Sequence, residues 1–268
     1  MILSYLRNWY HKRKAARVTV PDALWRSVED ELPFLAYLAP ADRARLREYA
    51  REFLATKQFH GADGFELTDE IMLSVALQAC LPVLNIGLHV YQDWVGIIIY
   101  LGDIRVRRHE TDEFCVVHEF DDEILGEAWE AGPVVLAWTS YHPLESGANV
   151  VIHEFAHKLD MSNGTADGFP PLPATIDRAS WARDFSDAYT RLCDWIEQGI
   201  EPPINPYAAQ DPAEFFAVVS EVFFKAPDQL QHAFPEVYRQ LSLLYGVDTL
   251  AGRNRALASH KHLFQDIV

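Results

Sequence analysis

Blocks of apolar and polar residues follow one another along this chain, and the period inside each block tells what it builds. From Pro21 to about Leu32, the stripe Leu24, Val28 and Leu32 predicts a short helix. A longer helix is expected over residues 40–59, capped by Asp42, with Leu46, Tyr49, Phe53 and Leu54 on one face. Gly61 and Gly64 interrupt the pattern before Thr68, which opens a helix from Ile71 to Leu81. That helix is apolar nearly all round, the mark of a core element. Residues 94–100 (Trp-Val-Gly-Ile-Ile-Ile-Tyr) are β-branched and aromatic and read as a strand, as do residues 134–138 behind Gly132-Pro133. Between them, residues 103–130 read as charged and irregular, with a short strand at residues 114–118. Helices return over residues 181–197 and 211–226, the second behind a Pro-rich stretch at residues 202–207. Weaker ones follow Pro227, with Val237, Leu241 and Leu244 as a stripe, and the tail from Ala251 reads as polar and loose. The expected organisation is a basic segment over residues 1–20, a single domain over 21–250 and a tail over 251–268. Mostly helix with a small sheet is an α+β pattern.

One block does not fit simple packing. Residues 150–160 read Val-Val-Ile-His-Glu-Phe-Ala-His-Lys-Leu-Asp and contain H-E-x-x-H. Residues four apart share a helix face, so His153 and His157 can offer two imidazole nitrogens to one metal ion. Glu154 beside them is placed to take a proton from a metal-activated water. Val150, Val151, Ile152, Phe155, Ala156 and Leu159 make the helix a buried one. A buried His-Glu-His set without a partner is costly, which points to a bound metal rather than to chance.

Composition narrows the setting. With 268 residues, 49% apolar and 23% charged, the chain can bury a sizeable core. A formal charge of −16 argues against direct contact with nucleic acid, which needs a basic face. The 3 cysteines, Cys80, Cys115 and Cys193, make no disulfide framework and suit a reducing cytoplasm. No apolar run is long enough to span a bilayer. Met1–Leu6 precedes Arg7, Lys12, Arg13, Lys14 and Arg17, the reverse of a secretory signal's order.

A catalytic zinc site needs a third protein ligand. The metzincin extension would place Gly and His where Asp160 and Asn163 stand, so it is excluded. No glutamate lies where thermolysin-like sites keep theirs, and Asp167 matches an Asp-ligand signature only in part. Glu214 remains: Asp211 is a strong N-cap, Pro212 suits the first helical position, and Glu214 stands three past the cap. That is also a capping-box position, so spacing alone leaves capping and ligation both open.

The runs His153–Asp160, Pro206-Tyr207-Ala208-Ala209 and Asp211–Val218, with residues 80–84 and 132–136, resemble the zinc-dependent peptidase family of Mlc titration factor A. The likeness covers about residues 50 to 245 and leaves the first 45 residues and the tail divergent. It implies a gluzincin-like, zincin-type fold and a cytoplasmic zinc peptidase with aminopeptidase activity on peptide or protein substrates. It also implies a regulatory partner, an Mlc-like transcriptional repressor. Carried over, His153, His157 and Glu214 match the zinc ligands and Glu154 the general base. His118 matches an upstream histidine associated with the metal, which would close the open coordination position until displaced. Tyr207 becomes a candidate donor to the oxyanion. Asp160, three past His157 on the same face, is placed to orient a ligand histidine, and Glu221, seven past Glu214, is a further candidate near the ligands or simply part of a polar stripe. An extended peptide is expected to add to a strand edge near residues 134–138. The alternative is a repressor-titrating binding protein with a structural zinc, which would have no use for Glu154. A di-iron bundle would need a second Glu-x-x-His set, and no convincing one is present.

Overall fold

A computed structural model describes residues 18–102, 104–111, 117–130, 132–138 and 149–265, and only the backbone of 104–111, 117–124 and 259–265. The basic N-terminal segment up to residue 17, most of the loop before the H-E-x-x-H helix and Cys115 therefore lie outside the description. The architecture is α+β, as the pattern predicts. The helices are α1 (Asp22–Asp30), α2 (Pro40–Thr56), α3 (Asp69–Cys80), α4 (Val150–Asp160), α5 (Arg178–Glu197), α6 (Pro212–Lys225), α7 (Pro227–Ala233), α8 (Pro235–Tyr245) and α9 (Thr249–Gln265). The strands are β1 (Gln58–Gly61), β2 (Gly96–Leu101), β3 (Ile104–Thr111), β4 (Val117–Ile124), β5 (Gly126–Ala128) and β6 (Val134–Trp138).

One sheet has the order β1-β2-β6-β5. β1, β2 and β6 run parallel, and β5 closes the sheet antiparallel to β6, with Gly126 opposite Leu136 and Ala128 opposite Val134. β6 is thus an inner strand. The edge available on that side is β5, not residues 134–138. In the ladder, Ala137 N–H donates to Leu125 O and Trp129 N–H to Pro133 O. Side-to-side bonding alternates along an antiparallel strand, so the backbone groups of Gly126 and Ala128 face away from β6, toward the edge that is free among the described residues.

Four expectations change. α2 ends at Thr56 because Gln58–Gly61 pairs with Gly96–Ile99 as β1. Asp42 does not cap it: Ala39 is the N-cap, and Asp42 instead bonds Arg45 at 2.8 Å. The charged stretch expected to be irregular is a two-stranded hairpin, β3 against β4, in which like charges are rarely opposite: Arg105 faces Glu123 and Arg107 faces Asp121. The segment from Ala251, expected to be irregular, is helical as part of α9 through Gln265.

The core lies behind α4. Phe155 packs edge-on to Phe53 and Tyr91, with ring centroids 5.6 and 5.4 Å away, and Tyr91 Oη donates to Phe155 O at 3.1 Å. α3, with every residue from Leu73 to Cys80 buried, packs beside it, and Thr68 caps it by accepting from Ile71 N–H. On the far side Trp181, Phe185, Phe215 and Phe216 join α5 to α6. α4 and α6 are packed between these layers.

Candidate metal centre

α4 starts where it does because Asn149 caps it. Its Oδ1 accepts from Ile152 N–H at 2.9 Å, and its Nδ2 donates to Gln78 Oε1 of α3 at 2.7 Å. Val151, Ile152, Phe155, Ala156 and Leu159 anchor the helix in the core. His153 and His157 then project one turn apart toward α6, their rings 4.8 Å centroid to centroid. α6 begins at Asp211, whose Oδ1 accepts from both Ala213 and Glu214 N–H, at 2.8 and 2.9 Å. Pro212 needs no partner at the first helical position. The Glu214 carboxylate turns to the histidines, with Oε2 3.0 Å from His153 Nε2 and Oε1 3.4 Å from His157 Nε2.

The donor set fits a metal ion. His153 Nε2 and His157 Nε2 face each other at 3.1 Å, and two ring nitrogens at that spacing can share only one proton. Glu214 Oε2 is buried without a hydrogen-bond partner among the described residues, despite its closeness to His153. One atom from each of His153, His157 and Glu214 lies within 4.8 Å of the others. Two imidazoles and a carboxylate are a common catalytic zinc set.

The orienting carboxylate is Glu221, two turns along α6 from Glu214. Its Oε1 sits 2.7 Å from His153 Nδ1, and its Oε2 accepts from Asn149 N–H. Glu221 thereby fixes the ring and the start of the helix that carries it. Asp160, the other candidate, does different work: its Oδ2 accepts from Asp167 and Gly168 N–H at 2.9 and 2.7 Å. Burial pushes its carboxyl up to about 6. His157 Nδ1 has no hydrogen-bond partner among the described residues.

The electrostatics express crowding of one cation and several anions. Burial disfavours charge on His153, but Glu214 and Glu221 outweigh it and raise its pKa to about 10. Burial likewise opposes the Glu214 carboxylate, and the two histidines overcome it, lowering its pKa to about 2. Glu154, 4% exposed, is pushed up to about 8 by burial first and by the charges of Glu214, Glu221 and Glu127 against the pull of His153. A cluster that strains toward positive charge at its centre is what a cation site looks like.

The chain matches the family model of glucose-regulated metallo-peptidase M90 over residues 6–246. It belongs to that family. It is 38% identical over 249 residues to an uncharacterised protein of Synechocystis sp. PCC 6803, covering 91% of this chain and 90% of that protein. It is also 38% identical over 234 residues to Mlc titration factor A of Serratia proteamaculans, covering 85% of this chain and 89% of the relative. Mlc titration factor A of Klebsiella pneumoniae is 37% identical over 224 residues, 82% of this chain and 84% of its own. Membership of M90 brings a metallopeptidase type of function and a metal ion, for which the His153–His157–Glu214 set is available.

The remaining candidates of this M90 chain divide. Tyr207 lies in a 3-10 turn, Pro206–Ala209, half-exposed, with its ring 6.1 Å from that of His153. Burial and the charges of Glu214 and Glu154 raise its pKa, so the phenol keeps its proton and stays a donor. His118 lies in β4 opposite Glu110, and its side chain is outside the described part. Sequence reasoning missed Gly126. A Cβ there would come within 2.5 Å of Glu154 Oε1 and 2.7 Å of Val150 Cγ2, so only glycine lets β5 lie this close to Glu154. A lone glycine in a charged run was the available signal.

Proposed function

We propose that the chain is a zinc-dependent peptidase of aminopeptidase type that acts on peptides in the cytoplasm. The observation that carries this reading is the convergence of His153, His157 and Glu214 beside a buried Glu154. Zinc held by those three side chains would acidify a water and polarise the scissile carbonyl. Glu154 takes the proton of the attacking water and returns it to the departing amine. Tyr207 donates its hydroxyl proton to the oxygen on which negative charge develops. The substrate backbone adds to the free edge of β5 through Gly126 and Ala128. His118 is the residue that would hold the site closed until substrate arrives; a His118→Ala variant that lost zinc and never gained activity would count against that role. The free thiols of Cys80 and Cys193 favour a reducing compartment, and among the described residues no helix is long and apolar enough to cross a membrane.

Glu154→Gln tests the core of the reading. The variant is expected to keep its metal and lose peptide hydrolysis by at least about 100-fold, the usual worth of a general base. Unchanged hydrolysis would remove Glu154 from the mechanism. A second function has its own support, since curated relatives carry the name Mlc titration factor A. On that reading the chain also binds an Mlc-like transcriptional repressor, and makes no contact with nucleic acid itself. Pull-down of such a repressor by Glu154→Gln, with and without chelator, separates binding from hydrolysis.

A further inference from the structure

We infer that Lys158 is a positioning residue that clamps the substrate-binding edge strand to the ligand helix. The inference rests on the peptidase reading above. α4 presents two working faces. His153 and His157 point to α6, whereas Glu154 and Lys158, also four apart, lie together on the neighbouring face under β5. β5 is three residues long and an edge strand, so pairing with β6 alone would hold it weakly.

Each end of β5 is fixed to α4 instead. At its start, the bare Cα of Gly126 rests on Glu154 and Val150, where a Cβ would meet Glu154 Cγ at 2.7 Å. Just past its end, Lys158 Nζ donates to Trp129 O and, at 3.0 Å, to Gly132 O. Those two carbonyls belong to the two ends of the β5–β6 turn, itself closed by Gly132 N–H donating to Trp129 O at 3.1 Å. Lys158 is 2% exposed, and a buried ammonium is costly unless its donors are taken, so it holds both carbonyls at once. Its Nζ also lies 4.8 Å from the Trp94 ring centre, which adds a cation–π contact. The free backbone groups of Gly126 and Ala128 are thereby fixed relative to Glu154, one helical turn before Lys158. The backbone edge offered to an extended substrate is held in place by this clamp, which therefore governs how tightly such a substrate pairs.

The test uses the full chain and Lys158→Met, which keeps the stem and removes the donors. For a pentapeptide, KM is expected to rise about ten-fold with kcat within about two-fold, while an aminoacyl anilide, which spans little of the edge, changes less than about two-fold. Zinc stoichiometry should be unchanged. Equal losses on both substrates, a loss confined to kcat, or no loss at all would overturn the inference. Hydrogen exchange on the unaltered protein gives a second test that needs no variant to fold. The amides of Glu127 and Ala137 should be as protected as those of α4; much faster exchange would show β5 opening alone and would overturn the clamp. If the unaltered chain cleaves no peptide, the peptidase reading fails, and the exchange result still decides whether the clamp exists.

Discussion

On the proposed reading, Glu221 would govern how well His153 serves as a ligand, because a ring whose far nitrogen is held points its near nitrogen one way. Its Oε1 lies 2.7 Å from Nδ1, so Glu221→Gln should weaken metal affinity by about 10- to 100-fold while leaving the fold intact. Competition against a chromophoric chelator measures this. The same geometry sets a pH dependence. With its pKa raised to about 10, His153 holds a proton at neutral pH in the metal-free chain, and a ligating imidazole must give that proton up. Metal binding should therefore release a proton, and apparent affinity should fall as pH falls, by up to about ten-fold per unit. Calorimetry in two buffers of different ionisation enthalpy reads the release directly; its absence would contradict the pairing of His153 with the two glutamates. At this scale the sequence was legible where chemistry is local. Thr68 and Asp211 cap the helices that their positions predict. Which carboxylate orients His153 was not legible, because Asp160 and Glu221 differ only in a tertiary placement that no spacing reveals.

Elements turn these side chains into a site, and the loop between α4 and α5 has little freedom to vary. Gly168 has φ +78°, and a Cβ there would meet Pro212 O at 2.5 Å, at the first turn of the helix carrying Glu214. Gly168→Ala should cost about 2 kcal/mol or more in urea unfolding, since left-handed backbone and a close carbonyl both oppose it. Lys57, at the end of α2, donates to Tyr91 O and Trp94 O, and burial lowers its pKa to about 7, with Lys158 adding to the effect. A folded pKa below the ordinary 10.5 means the unfolded chain binds the proton more strongly, so this residue's contribution to stability rises with pH from about 7 to 10.5. The difference in unfolding free energy between the unaltered chain and Lys57→Met should grow between pH 7 and 9; a flat difference would contradict the burial argument. Strongly periodic helices such as α4, α5 and α6 were readable from the pattern. β1 and the β3–β4 hairpin were not, because one extends an amphipathic run past its helix and the other is built from charge pairs that read as solvent-facing loop.

Across the whole molecule, the core and the candidate site are one construction: α4 is buried on the Phe53–Tyr91–Phe155 side and carries the candidate ligands His153 and His157 on the other. The α+β class followed from the pattern, whereas the sheet order, with β5 as the edge beside Glu154, required pairing between segments distant in sequence. Metal removal should therefore be felt globally. A ligand that binds only the folded chain at a thousand times its Kd adds about 4 kcal/mol, so chelation should lower Tm by several degrees in this M90 protein. The most direct test of the account is anomalous diffraction at the zinc edge from crystals grown with zinc. It predicts one ion with His153 Nε2, His157 Nε2 and a Glu214 carboxylate oxygen all within about 2.0–2.3 Å. An ion held by other residues, or Glu214 turned away from a fully occupied ion, would contradict it.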